Sequence, residues 1–211
     1  MRHRRKGRIL GRNPNHQRAL KRSLASALIL TERDAEGEDN KPKVKGRIIT
    51  TIQKAKEVKP LVEQCVTIAC RALPAQQAAD QLETDADRHS DAWRAWRNGD
   101  QWKQWNAAIS PVIAARRRLV RLLGSKEAVQ ILFDEIAPRY VDRPGGYTRV
   151  LRLAKPRLGD GGIRAILEFV GKNDRKRSRG PRPSFDTETA TETQQAGEAQ
   201  SETAATEPAA S

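Results

Sequence analysis

Apolar residues recur along this chain in two rhythms, one helical and one extended. Leu20, Leu24, Ala27, Leu28 and Thr31 form a stripe at helical spacing, preceded by Asn13, a capping residue, and Pro14, which suits a first helical position. Arg18, Lys21, Arg22 and Ala25 fall on a neighbouring stripe, so one face of this helix can dock on protein while another meets a charged partner. Residues 32–46 are charged and broken by Gly37, Pro42 and Gly46, which predicts an exposed loop. The run Arg47, Ile48, Ile49, Thr50, Thr51 is short and β-branched and predicts a strand. Thr51 or Gln53 then opens a helix with Ala55, Val58, Leu61, Val62, Cys65, Val66, Ala69 and Leu73 on one side. Pro60 lies off that stripe, removes a backbone donor and crowds the Lys56 carbonyl, so a kink or a later helix start is expected.

The second half reads similarly. Ser110 and Pro111 look like a cap and first-turn pair opening a helix with Val112, Ala115, Leu119, Leu122 and Leu123 inward and Arg116, Arg117, Arg118 and Arg121 outward. Gly124 stops it. Ser125 caps a further helix carrying Val129, Leu132, Phe133 and Ile136, which Pro138 ends. Residues 147–153 and 163–170 alternate as strands, joined by the polar loop 154–162. Its glycines, Gly159, Gly161 and Gly162, lack the Lys-Ser/Thr and the following helix of a phosphate loop and read as hairpin chemistry. The expected fold class is α+β, a small helix-rich domain with a short three-stranded sheet. Its expected organisation is a basic arm at 1–14, core at 15–73 and 112–171, an inserted helical hairpin at 74–111, and a disordered tail at 172–211 that is basic and then acidic. From Ser184 onward there is no Lys or Arg but six acids, too little apolar surface to offset the entropy of ordering.

Residues 74–110 hold all four tryptophans. Trp93, Trp96, Trp102 and Trp105 repeat a W-x-x-W pattern on either side of Asn98, Gly99 and Asp100, so two short helices folded on each other would bring indoles together. A local hydrophobic cluster is one reading and stacking of a flipped RNA base another. Asp80, Glu83, Asp85, Asp87 and Asp91, just upstream, argue against direct RNA contact.

Charge changes the picture most. The first 22 residues carry nine Lys or Arg and two His with no acid, and the first carboxylate of the chain is Glu32. Such a run repels itself and offers a ladder of cations to a dense polyanion, which points first to nucleic acid. A solvated tail or localisation tag is the plainer alternative, but a tag rarely continues into a capped amphipathic helix. Net charge of +14 over 211 residues implies anionic partners. The arm supplies Arg8, Arg12 and His16 beside the helix cations Arg18, Lys21 and Arg22, and Arg116 and Arg117 add a basic outer surface. Tyr140 and Tyr147 sit among Arg139, Arg143 and Arg149 in a turn with Gly145 and Gly146, a combination that stacks on bases and grips phosphate, although an ordinary turn feeding a strand would look the same.

Catalytic chemistry is not expected. His3, His16 and His89 are not spaced for metal with one another or with Cys65 and Cys70, and Asp134 and Glu135 are adjacent on a helix and point apart. No cofactor, small-molecule substrate or membrane span is expected: no window approaches the ~18 apolar residues that a span requires. The arm lacks the Ser-rich character of a transit peptide, so a cytoplasmic location is expected. The cysteines are expected to be free, packed as small hydrophobes.

Several blocks, taken together and in order, resemble one family. The opening MRHRRKGRILGRNPNHQRALKRSLASAL, then RIITTIQKAKEVKPLVE, then AVQILFDEIAPRYVDRPGGYTRVLRL followed by RLGDGGIRAILEFV, are similar to the bacterial large-subunit ribosomal protein L-seventeen family and cover most of residues 1–73 and 112–170. The resemblance implies a compact α+β domain with an extended basic amino-terminal arm, bound to large-subunit ribosomal RNA near the exit of the peptide tunnel beside other ribosomal proteins, structural and without catalysis. Position by position, Arg2, His3, Arg4, Arg5 and Lys6, the Lys54 and Lys56 turn, and Gly145, Gly146, Tyr147, Thr148 and Arg149 match its patterns. The loop around 33–43 is longer than expected, and residues 74–111 and the tail beyond 171 look additional. A free DNA- or RNA-binding regulatory or nucleoid protein is the alternative; it would need a recognition helix or a dimer seam, and the predicted helices leave no heptad. A scaffold holding another protein through the tryptophan hairpin is compatible with either.

Overall fold

The structure is a computed structural model that describes residues 8–35, 37, 39–171 and 174. Arg2, His3, Arg4, Arg5 and Lys6, and the tail apart from Asp174, lie outside the described residues.

Helix α1 (Pro14–Leu30) is capped by the Asn13 side chain, which accepts from the Asn15 amide at 2.8 Å, and Pro14 occupies its first turn. Its core-facing residues are Ala25, Ser26, Leu28 and Ile29. Ala25 is therefore packed and Ala27 exposed, the reverse of the stripes expected for them, because α1 packs among several elements of the fold rather than along a single seam.

Strand β1 (Arg47–Thr51) leads directly into α2 (Ile52–Asp80), which runs without interruption through Pro60 and Pro74. No later start occurs at Pro60. Each proline removes one backbone bond, but Val58 and Val62 on either side of Pro60 are fully buried, and that packing outweighs the lost donor.

After α3 (Asp91–Asn98), Gly99 makes an extended break and α4 begins at once, spanning Asp100–Leu123. Ser110 and Pro111 accordingly lie inside a long helix instead of opening a new one. Val112, Leu119 and Leu123 on α4 are buried along α2, and a continuous rod serves that seam better than two pieces would.

Gly124 adopts φ +78° at the end of α4, and Ser125 caps the short helix α5 (Lys126–Ile131), accepting from the Ala128 amide at 3.2 Å. The chain then widens into a π-helical turn at Leu132–Ile136 and tightens into a 3₁₀ turn at Ala137–Tyr140. Pro138 sits within that tight turn rather than ending the helical run, because a proline near the start of a helical turn lacks only a donor that would have no partner there.

Strands β2 (Thr148–Arg152) and β3 (Arg164–Phe169) complete an antiparallel sheet of order β1-β3-β2. Its inner face presents Ala165 and Leu167, both fully buried, to the core that α2 anchors. Cys65 is free and buried on α2, with its thiol pushed up to about 12 by burial. The half-buried Cys70 is free too, and burial raises its thiol; its Sγ lies 3.6 Å from the Ala137 carbonyl oxygen.

Candidate nucleic-acid interface

The cations expected to meet RNA divide into two groups by what the fold does with them. In the first, Arg12, Arg18 and Arg117 are exposed, Lys56 is exposed and Lys21 and Lys54 are half-exposed, and none makes an ion pair within the described residues. His16 is exposed beside them. No carboxylate precedes Glu32, and none falls between Asp100 and Glu127, so α1 and most of α4 are acid-free along their length.

Arg22 holds these two helices together. Its Nη2 donates to the Arg121 carbonyl at 2.6 Å, and the Ser26 hydroxyl donates to the Leu123 carbonyl at 2.9 Å. Carbonyls in the last turn of a helix lack intrahelical partners, and they carry the negative end of its dipole, so both donors satisfy orphan acceptors. A groove results between α1 and the α4–α5 elbow, lined by Arg18, Arg22, Ser23, Ser26, Gly124 and Ser125. Its chemistry is that of hydroxyls and guanidinium groups, suited to phosphate oxygens.

In the second group the arginines are already engaged. Arg8 is ion-paired with Glu57 at 3.8 Å, and its amide donates to the same carboxylate at 3.2 Å. Arg139 is shared by Glu32 at 2.9 Å and Glu135 at 3.2 Å; burial opposes its charge, but these carboxylates outweigh burial and hold its pKa above the ordinary value. Arg143 donates to the Gly145 and Asp174 carbonyls, both at 3.3 Å. Arg149 pairs with Glu168 and, at 3.1 Å, with Asp174. Arg116 lies over the Phe133 ring at 4.8 Å.

The tyrosine turn is packed inward. Tyr140 and Tyr147 are 3% and 4% exposed, with ring centroids 5.2 Å apart, and the Tyr140 hydroxyl donates to the Val170 carbonyl at 2.6 Å. Burial pushes the Tyr140 phenol up to about 12. Thr148 is 2% exposed. The side chains of Tyr147 and Thr148 are thus structural and cannot stack on a base without opening the core. Their segment is held by Glu63, whose carboxylate accepts from the Gly146, Tyr147 and Thr148 amides at 3.0, 3.2 and 3.0 Å and from the Thr148 hydroxyl at 2.8 Å. Sequence reasoning missed Glu63, Glu32 and Glu168 because an isolated acid carries no local signal of what it will hold. Gly146 itself is exposed and Gly145 half-exposed, both at positive φ, so their backbone remains approachable.

The tryptophan segment forms a hairpin of unequal arms. Trp96 and Trp105 meet edge to face at 5.7 Å, Arg97 covers Trp93 at 5.0 Å, and His89 flanks it at 5.4 Å. Every indole there is half-buried, as a local hydrophobic cluster requires.

No group of His, Cys, Asp and Glu suited to a metal ion occurs among the described residues, and no described helix is long and apolar enough to cross a membrane. Fold and surface together define a small, basic α+β domain.

Comparison with known proteins narrows that class. The family model described as "Ribosomal protein L17" matches residues 20–170. Over 203 residues the chain is 60% identical to "Large ribosomal subunit protein bL17" of Rhodopirellula baltica, with 96% of each chain covered. It is 36% identical to the protein of that name from Nitratidesulfovibrio vulgaris, covering 81% of this chain and 88% of the relative, and 35% identical to that of Thermus thermophilus, covering 81% and 99%. The chain belongs to the ribosomal protein L17 family, and as such is a structural, non-enzymatic component of the ribosome that resides in the cytoplasm. The Rhodopirellula baltica match leaves so little of the chain outside it that its span takes in the tryptophan segment and reaches into the tail.

Proposed function

We propose that the chain binds large-subunit ribosomal RNA through its basic arm and through the cations of α1 and α4, near the polypeptide exit tunnel and beside neighbouring large-subunit proteins. The observation that carries the reading is that Arg12, Arg18, Lys21 and Arg117 make no ion pair among the described residues, at and along α1 and the acid-free stretch of α4 that Arg22 ties to it. Unpaired cations held close together raise the cost of folding, and a phosphate backbone removes that cost on binding. The groove lined by Arg18 and Arg22 supplies a concave place for such a backbone. The binding is neutralisation and shape recognition, with no base reading required. The location near the exit tunnel is supported by the resemblance of the arm and of the Lys54 and Lys56 turn to the family's patterns.

Binding of the full chain to large-subunit ribosomal RNA, measured against salt, tests this. Contacts to six or more phosphates give a log-log slope of about −4 or steeper. Deleting residues 2–12 should flatten the slope by several units, and Arg18→Ala or Arg117→Ala by about one each. An unchanged slope in all three variants would remove the arm and helices as the RNA-contacting elements. A map of the large subunit with the arm standing clear of any phosphate would do the same, and one with the chain far from the tunnel exit would end that part of the reading.

A further inference from the structure

Every residue from Ala154 to Gly161, in the loop joining β2 to β3, is exposed, yet the loop is tied to itself. The Arg157 amide donates to the Gly162 carbonyl at 3.0 Å and the Gly161 amide to the Arg157 carbonyl at 3.1 Å. Gly159 and Gly161, at φ +98° and +62°, carry the reversal. At the tip the Arg157 guanidinium closes on the Asp160 carboxylate side-on, Nε to Oδ1 at 2.9 Å and Nη2 to Oδ2. Asp160 Oδ1 also accepts the Gly162 amide at 3.1 Å. Two parallel bonds between planar groups bring them toward a common plane, and this pair is 53% and 52% exposed. Leu158, beside Arg157, is 98% exposed and is the sole large apolar side chain of residues 154–162. Asp160 is the only acid between Asp142 and Glu168, and Arg157 takes it. Arg152, Lys155 and Arg164 therefore flank the tip without an ion pair among the described residues; the Arg164 Nε donates only to the Lys155 carbonyl, at 3.3 Å.

We propose that the hairpin tip is a stacking platform for an unpaired nucleotide of RNA, its base lying on the face of the Arg157–Asp160 pair beside Leu158 and its flanking phosphates meeting Arg152, Lys155 and Arg164. The inference rests on RNA being the partner and adds an element that the arm, α1 and α4 do not supply. Arg157 selects this occupant. Its Nε and Nη2 edge, which would grip a carboxylate or a phosphate side-on, is already filled by Asp160. What it still offers is a flat cationic face, on which bases stack. Leu158 supplies apolar contact beside that face, and the unpaired cations supply the charge that a nucleotide backbone requires. A base inside a duplex has its faces covered by its neighbours, so the fit is to a loop, bulge or end. A docked protein would need a broader apolar centre than one leucine. A second copy of this chain would set unpaired cations against unpaired cations.

Full-length protein carrying a benzoylphenylalanine in place of Leu158 is incorporated into large subunits, which are purified and irradiated. The expected product is a crosslink to ribosomal RNA at an unpaired nucleotide. Arg157→Lys keeps the charge and removes the plane; Asp160→Asn removes an acid and leaves the plane free to turn. Either one, added to the photoreactive chain, should lower the crosslink yield several-fold. Plain attraction between cations and phosphate predicts no change for the first and a rise for the second, and that pattern overturns the proposal. So does a crosslink confined to protein or to base-paired nucleotides, or no crosslink in subunits that contain the variant. Without the photoreactive residue, Arg157→Lys should raise the 2′-hydroxyl acylation of the same nucleotide, and unaltered reactivity counts equally against the platform. If deleting residues 2–12 leaves the salt slope unchanged while the crosslink persists, the arm fails as an RNA-contacting element and the platform stands.

Discussion

Glu63 and Thr148 lie 85 positions apart in the sequence, yet the Glu63 carboxylate accepts both the Thr148 hydroxyl and the Thr148 amide on one oxygen, at 2.8 and 3.0 Å. Its other oxygen takes the Gly146 and Tyr147 amides. A single side chain on α2 thus satisfies the entry to β2 and seats Tyr147 in the core. Glu63→Gln keeps one accepting oxygen and replaces the other with a donor, leaving at least one of the three amides without a partner. It should lower stability by about 1–3 kcal/mol, read as a smaller urea midpoint at unchanged slope. Stability equal to that of the unmodified protein would mean that water replaces the carboxylate at no cost.

Gly46 and Gly124 provide a contrast in what glycine is for. Both have positive φ, +72° and +78°, but a Cβ on Gly46 would lie 2.6 Å from Glu32 Oε1 whereas one on Gly124 meets nothing within 4 Å. Gly124→Ala therefore carries backbone strain alone, about 1–2 kcal/mol. Gly46→Ala adds displacement of Glu32 from its 2.9 Å pair with Arg139, and should be the more destabilising of the two in thermal or urea unfolding. The opposite order would show that Glu32 moves aside freely.

Cys65 offers a pH-dependent readout. Burial raises its thiol from an ordinary 9.0 to about 12, so the folded state keeps the proton that the unfolded state releases. The stabilisation is complete below pH 9 and is lost as pH rises toward 12. Native protein at pH 8 should react with iodoacetamide slowly at Cys65 and sooner at the half-buried Cys70, and urea should bring both to the rate of a free thiol. The fall of stability between pH 9 and 12 should be shallower in Cys65→Ala. Equal native and denatured alkylation rates at Cys65 would contradict its burial.

Much of the fold was legible because periodicity reports burial directly. The α2 face from Ala55 through Leu73 is buried as its spacing requires, and the three strands fall within the alternating or β-branched runs. Helix ends were less legible. Ser110 and Pro111 have the chemistry of a helix start, but α4 passes through them because its seam with α2 rewards continuity. The candidate site was legible as charge and illegible as geometry. Tyr147 beside Arg149 reads the same whether the ring faces solvent or core, and it is the tertiary structure, with Tyr140 against the ring and Glu63 on the backbone, that holds it inward.

By itself the sequence determined the excess of cations, their concentration in acid-free stretches, and the helical and extended rhythms, because these are properties of composition and spacing that no folding step alters. Tertiary structure alone decided which arginines stay unpaired. Glu32, Glu57, Glu63 and Glu168 each reach partners distant in the chain, and an ion pair depends on distance in space, which spacing along the chain does not encode. An apolar row across the sheet is of the same kind: Ile49, Leu151 and Ile166 are separate and ordinary until the β1-β3-β2 register sets them side by side.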